Sequence, residues 1–220
     1  MAVRLSRAER REQTRQELIS AAEACFVSHG FHASSVDEVA ERAGYTKGAV
    51  YSNFASKEDL FFAVYERRVE QVLTEVVPGL RQLGAARAFD QLAAGALHQR
   101  DPDDGWRAVF FEFWAHVVRH PELRERFAAI HARFLEPLAE AVRALAEDRG
   151  QALPADVTAG QVVLAWNAME VGLGLERLTQ PQAMDGVMAR RLGWLLLNAV
   201  LGAPEALAGS NGPPQDRGIR

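Results

Sequence analysis

The sequence predicts an all-α protein, and three observations carry that prediction. No run of alternating apolar and polar residues reads as a strand. Apolar residues recur instead at helical spacing along most of the chain. Glycine and proline punctuate it at intervals that suit helices. The 220 residues are 48% hydrophobic and 25% charged with a formal net charge of −4, which excludes a mainly disordered chain. No stretch reaches the roughly 18 uncharged apolar residues that a membrane helix needs. The charged N-terminal residues lack the apolar core of a signal peptide. A single cysteine, Cys25, excludes an intrachain disulfide framework and a Cys-based zinc knuckle. The expected setting is the cytoplasm.

The first helix is expected over residues 7–29, where Leu18, Ile19, Ala22, Cys25 and Phe26 trace one stripe and Gly30 ends it. Ser35 with Glu38 forms the Ser-x-x-Glu signature of a helix start. Val36, Val39, Ala40 and Ala43 then keep helical spacing as far as Gly44, where a sharp turn needs a left-handed residue. Thr46 caps a further short helix that runs to Asn53. Ser56, ahead of Glu58 and Asp59, opens a helix expected to reach Val77 and to stop at Pro78-Gly79. Later helices are expected over residues 80–99, 106–119, 121–147 with a kink at Pro137, 155–178 and 186–201. Residues 203–220, with three Pro and three Gly, are expected to form a disordered tail. The expected division is a helix-turn-helix domain at 1–56, a larger helical domain at 57–202, and the tail.

The functional signal lies in residues 35–54. Two short helices joined at a glycine form a helix-turn-helix signature. Ala40 is small where the second helix crosses the first, and Val50 points back into that contact. The other face of the second helix carries Thr46, Lys47, Gly48, Tyr51, Ser52 and Asn53. It is polar, cationic and free of acids, which suits a phosphate-lined groove. The attraction must be local, because residues 1–60 hold eight basic and nine acidic side chains.

The stretch SSVDEVAERAGYTKGAVYSNFASKEDLF, with AAEACFVSHGFHASS before it, resembles the DNA-binding domain of the TetR/AcrR family of transcriptional regulators over residues 12–62. The resemblance implies that Thr46, Lys47 and Gly48 begin a recognition helix reaching base edges, with Ser52 and Asn53 on the same face. It implies phosphate contacts from Tyr51 and Lys57, and from the helix start held by Ser34 and Ser35. It implies a homodimer formed by the last two helices, through Val162, Met169, Leu173, Leu192, Leu195, Leu196 and Ala199. It also implies a repressor that leaves an inverted-repeat operator when a small apolar or aromatic effector binds the C-terminal domain. Candidate effector-lining residues are Trp106, Phe110, Phe113, Trp114, Phe134, Trp166, Asn167 and Glu170, although the same rings could fill a solid core.

No metal or cofactor is expected. Glu112, His116 and His120 share one helix face at metal-ligand spacing, but solvated or pocket-lining roles are the commoner reading. Asp101, Asp103 and Asp104 precede a helix, where acids favour its N-terminus. No glycine-rich phosphate loop or nucleophile motif is present. The competing class is an all-α enzyme or interaction protein whose helix-turn-helix is structural. Exposure of Lys47, Ser52 and Asn53 separates the two.

Overall fold

The computed structural model describes residues 6–82, 87, 105–148, 150, 153, 155–182, 187–188 and 191–192. Its described residues form helices and no strand: α1 (Arg7–His29), α2 (Val36–Ala43), α3 (Lys47–Tyr51), α4 (Lys57–Gln71), a π-helical segment (Val72–Val76), α5 (Val77–Gln82), α6 (Gly105–Arg119), α7 (Pro121–Asp148) and α8 (Ala159–Thr179). The chain divides into two compact units, Met1–Val76 with His98–Phe134, and Val77–Leu97 with Leu135–Arg220. The helices expected over 80–99 and 186–201, and the tail, lie wholly or mostly outside the described residues.

Local chemistry explains most boundaries. Ser6 and Glu9 close a reciprocal capping box at the start of α1. At α2 only half of the expected box forms. The Ser35 hydroxyl accepts from the Glu38 N–H, but the Glu38 carboxylate pairs with His29 instead of turning back. Gly44 adopts φ 74°, ψ 25°, the left-handed turn expected there. A Thr158–Gln161 capping box starts α8 at Ala159, later than the periodicity alone places it. The helix from Lys57 does not stop at Pro78-Gly79, as expected, but passes through the π-helical segment into α5. Pro78 is tolerated because it falls in the first turn of α5, where a missing N–H breaks no intrahelical bond.

The core of the first unit is aromatic. Phe113 is fully buried, stacked 3.9 Å from Phe61 and edge-on to Phe31 at 4.9 Å and Phe62 at 5.1 Å. Phe26 joins the cluster through Phe61 at 5.4 Å. These offset and edge-on arrangements suit ring quadrupoles. Cys25 is fully buried on α1, and burial pushes its thiol pKa up, so it packs as a small hydrophobe.

A buried polar pair sits beside this cluster. Tyr65 Oη and His131 Nδ1 share a hydrogen bond of 2.8 Å between α4 and α7. Burial raises the Tyr65 pKa and lowers that of His131 below its ordinary 6.5. The imidazole is therefore neutral and accepts from the phenol. The unfolded chain binds a proton that the folded chain refuses, so this stability is complete above pH 6.5 and is lost as pH falls through the folded value. Melting temperature should drop between about pH 7 and pH 5. His131→Gln, which keeps an acceptor for Tyr65, should reduce that drop. It should not abolish it, since burial also lowers the His116 pKa. An equal drop in wild type and variant would remove His131 as the cause.

Candidate nucleic-acid interface

Helix α3 is five residues, KGAVY, without an acid. Val50 and Phe54 are buried beneath it, so one face is fixed in the core. Thr46 caps it by accepting from the Ala49 N–H at 3.3 Å. The outward face carries Thr46, Lys47, Gly48, Tyr51 and Ser52, all exposed, and Asn53, half-buried. Tyr51 is 51% exposed, a large ring left in solvent by the fold. A Cβ built on Gly48 would meet nothing closer than Thr46 Oγ1 at 3.8 Å, so packing does not demand a glycine there. Lys47 Nζ donates to Asp37 Oδ2 at 2.9 Å across the turn, and that hydrogen bond raises its pKa. Both partners are exposed, so this pair is weak and easily exchanged for another anion.

The C-terminal end of α3 is anchored. Ser52 Oγ and Asn53 Nδ2 each donate to the Ala49 carbonyl at 2.8 Å. Arg15 on α1 donates to the Asn53 carbonyl at 3.1 Å and lies 4.5 Å over the Phe54 ring. In the following turn, Asp59 accepts from the Ala55 N–H at 3.0 Å and from Arg126 at 2.6 Å. Burial acts to raise the Asp59 pKa, but these donors outweigh it and hold the carboxyl below its usual range. Neither Arg15 nor Asp59 was identifiable from spacing, because their partners are remote in sequence or are backbone atoms.

Two expected DNA contacts are corrected by their surroundings. Ser34 is 2% exposed, and its hydroxyl is engaged with the Cys25 and Gly30 carbonyls, so it cannot reach a phosphate. Lys57 donates to the carbonyls of Phe31, His32 and Ser34 at 2.9, 3.2 and 3.0 Å, and sits 4.6 Å over the Phe31 ring. Its three N–H bonds are committed inside the protein. Ser35 remains exposed at the start of α2.

The candidate effector-lining residues divide between the two units. Phe113 is core, not lining. Trp106, Phe110, Trp114 and Phe134 are half-buried at the margin of the first unit's core. Phe110 and Trp114 pack edge-on at 5.5 Å, and Arg68 lies 4.2 Å over Trp106. In the second unit, Trp166 and Asn167 are buried and Glu170 is half-buried on α8. His116 and His120 stack at 4.1 Å on α6, with Glu58 3.4 Å from His116 and Glu122 3.0 Å from His120.

The expected dimer residues also divide. Val162 is buried within its own unit, and Met169, Leu173 and Leu192 are half-buried. Leu195, Leu196 and Ala199 lie outside the described residues. The open face of α8 is a different stripe: Leu164 at 55% exposure, Ala168, Gly172 and Leu175 at 50%.

Comparison with known proteins agrees with this architecture. The family model for bacterial regulatory proteins of the tetR family matches residues 18–64, and that for the C-terminal part of BetI-type transcriptional repressors matches residues 85–201. The HTH-type transcriptional activator FasR of Mycolicibacterium smegmatis is 44% identical over 102 residues, 46% of this chain and 47% of FasR. The HTH-type transcriptional repressor AcnR of Corynebacterium diphtheriae is 30% identical over 122 residues, 56% of this chain and 59% of AcnR. The chain thus spans about half the length of the curated relatives it matches. A regulator of Saccharomonospora viridis, solved with choline, shares the fold with a TM-score of 0.70 at 18% identity, covering 85% of this chain and 96% of its own.

Proposed function

The chain belongs to the tetR family of bacterial regulatory proteins, a family of transcriptional regulators and not of enzymes, and on that basis we propose that it represses transcription by binding an inverted-repeat operator as a homodimer and releases it when a small molecule binds. The observation that carries the DNA-binding part is the face of α3. It is acid-free, it projects Thr46, Lys47 and Tyr51 into solvent, and Gly48 leaves room for a close backbone approach. Ser35, Ser52 and Asn53 flank that face, and Arg15 and Asp59 hold it rigid. Residues 1–56 would then carry recognition, and residues 57–202 the effector site and dimer contacts, in the cytoplasm. Trp106, Phe110, Trp114 and Phe134 are the rings with surface left for an apolar or aromatic effector. Such an effector acts only through unequal affinity for two states. The one proposed here splays the recognition helices out of the spacing of successive major grooves, roughly 34 Å.

Selecting bound duplexes from a random-sequence pool tests this. The expected product is an inverted repeat whose affinity falls steeply with salt. Recovery of no enriched sequence would favour the competing reading of a structural helix-turn-helix.

The open stripe of α8 supports the homodimer, because Ala168 and Gly172 permit close helix approach between Leu164 and Leu175. Leu164→Glu combined with Leu175→Glu should convert the sedimenting species to monomer and weaken duplex binding by about a hundredfold or more, as the second half-site is lost. A double variant that still sediments as a dimer would place the interface elsewhere.

A further inference from the structure

The loop from Gly30 to Ser34 delivers the chain from α1 to the cap of α2, and later helices grip its backbone from both sides. Lys57 on α4 takes three of its carbonyls. Glu112 on α6 takes two of its amides: Phe31 N–H donates to Oε2 at 2.8 Å and His32 N–H to Oε1 at 2.7 Å. One carboxylate therefore spans two consecutive backbone donors, and each bond is charge-assisted. Gly30 makes room for it. Its φ is +85°, and a Cβ there would stand 2.6 Å from Glu112 Oε2. The next residue on α6, Phe113, packs on the Phe31 ring at 4.9 Å, so side chain and backbone of the loop are held by the same turn of α6.

Three residues beyond His32, Ser35 caps α2. Helix α2 in turn holds α3, through buried Val39, Ala40 and Val50 and the Tyr45 N–H to Ala40 carbonyl bond of 2.9 Å. We propose that Glu112 is a positioning residue for DNA recognition: it ties α6 to the amides of Phe31 and His32 and so sets where α2 and α3 stand. This rests on the reading of the chain as a DNA-binding regulator. A helix that shifts by a fraction of a turn at this point drags two amides with it, whereas an apolar contact would slide.

Glu112→Gln tests the assignment. It keeps length and packing, but it keeps one acceptor oxygen and presents an NH2 group to the second amide. Two readouts on the full chain are needed. Hydrogen exchange at Phe31 and His32 should speed up about tenfold, and affinity for the selected duplex should fall by a similar factor, as for loss of one charge-assisted bond. Melting temperature should stay within a few degrees. Gly30→Ala should act through the same carboxylate, so the double variant should be no worse for binding than the worse single one. If Glu112→Gln folds poorly, Glu112→Asp, which is too short to span both amides, serves the same two readouts. Unchanged exchange overturns the tie, and faster exchange with undiminished duplex affinity overturns the positioning role. Failure of the regulator reading looks different: the wild-type chain selects no duplex, and the positioning role then falls with it.

Discussion

Phe113→Ala should remove about 3–5 kcal/mol of folding stability, the usual cost of truncating a buried phenylalanine. Phe113 has no exposed surface and touches rings from three elements, Phe31 in the first loop and Phe61 and Phe62 in α4. Neither side can collapse into the gap without moving a helix, so the cost should lie high in that range. Domains of this size are stable by only about 5–15 kcal/mol. At roughly 2–4 °C for each kcal/mol, the melting temperature should fall by about 6–20 °C. The result separates two roles for the aromatic helix. A ring lining an open cavity would lose little stability on truncation and would lose effector binding instead. A variant that melts within a degree or two of wild type would show that Phe113 is not the core residue described above.

Lys47→Ala combined with Tyr51→Ala should show the opposite pattern, with large loss of DNA affinity and almost none of stability. Both side chains are exposed, and exposed substitutions usually stay within about 0.5 kcal/mol. The one folded-state interaction lost is the exposed Lys47–Asp37 pair, worth at most about 1 kcal/mol. On DNA, two polar contacts vanish from each recognition helix. At roughly tenfold each, affinity for the selected duplex should drop by about a hundredfold. The dependence of log affinity on log salt should flatten by about one for each phosphate that Lys47 no longer neutralises. Fluorescence anisotropy across a salt series reads both. Undiminished affinity with an intact fold would mean that α3 does not read the duplex.

Much of this was legible in the chain because it is written locally. The stripe of Leu18, Ala22, Cys25 and Phe26 and the stop at Gly30 fix α1 to the residue, and Gly44 marks its left-handed turn. Ser35, Thr46 and Ser56 each cap the helix that follows. The outward face of α3 follows from burial of Val50 alone. Long-range choices were not legible. Lys57 looks like a surface cation at a helix start, but its partners are carbonyls 23 to 26 residues earlier. Ser34 and Ser35 are equivalent as text, yet one hydroxyl turns inward to α1 and the other caps α2. Counting rings on α6 shows that the helix is apolar around much of its girth, but not which rings are already covered. Phe113 is covered and Trp106, Phe110 and Trp114 are covered only in part. On α8 the same limit applies: periodicity identifies apolar faces, and only packing tells that Val162 is inside while Leu164 is out.

The first compact unit is discontinuous, made of Met1–Val76 and His98–Phe134. That has a consequence for engineering. A DNA-reading module cut after residue 56 would leave Phe26 and Phe31 without Phe61 and Phe113, exposing an aromatic surface that should aggregate rather than fold. Transplanting this specificity onto another sensor therefore needs two junctions, one near Val76 and one near Phe134, and the graft must bring α6 with it.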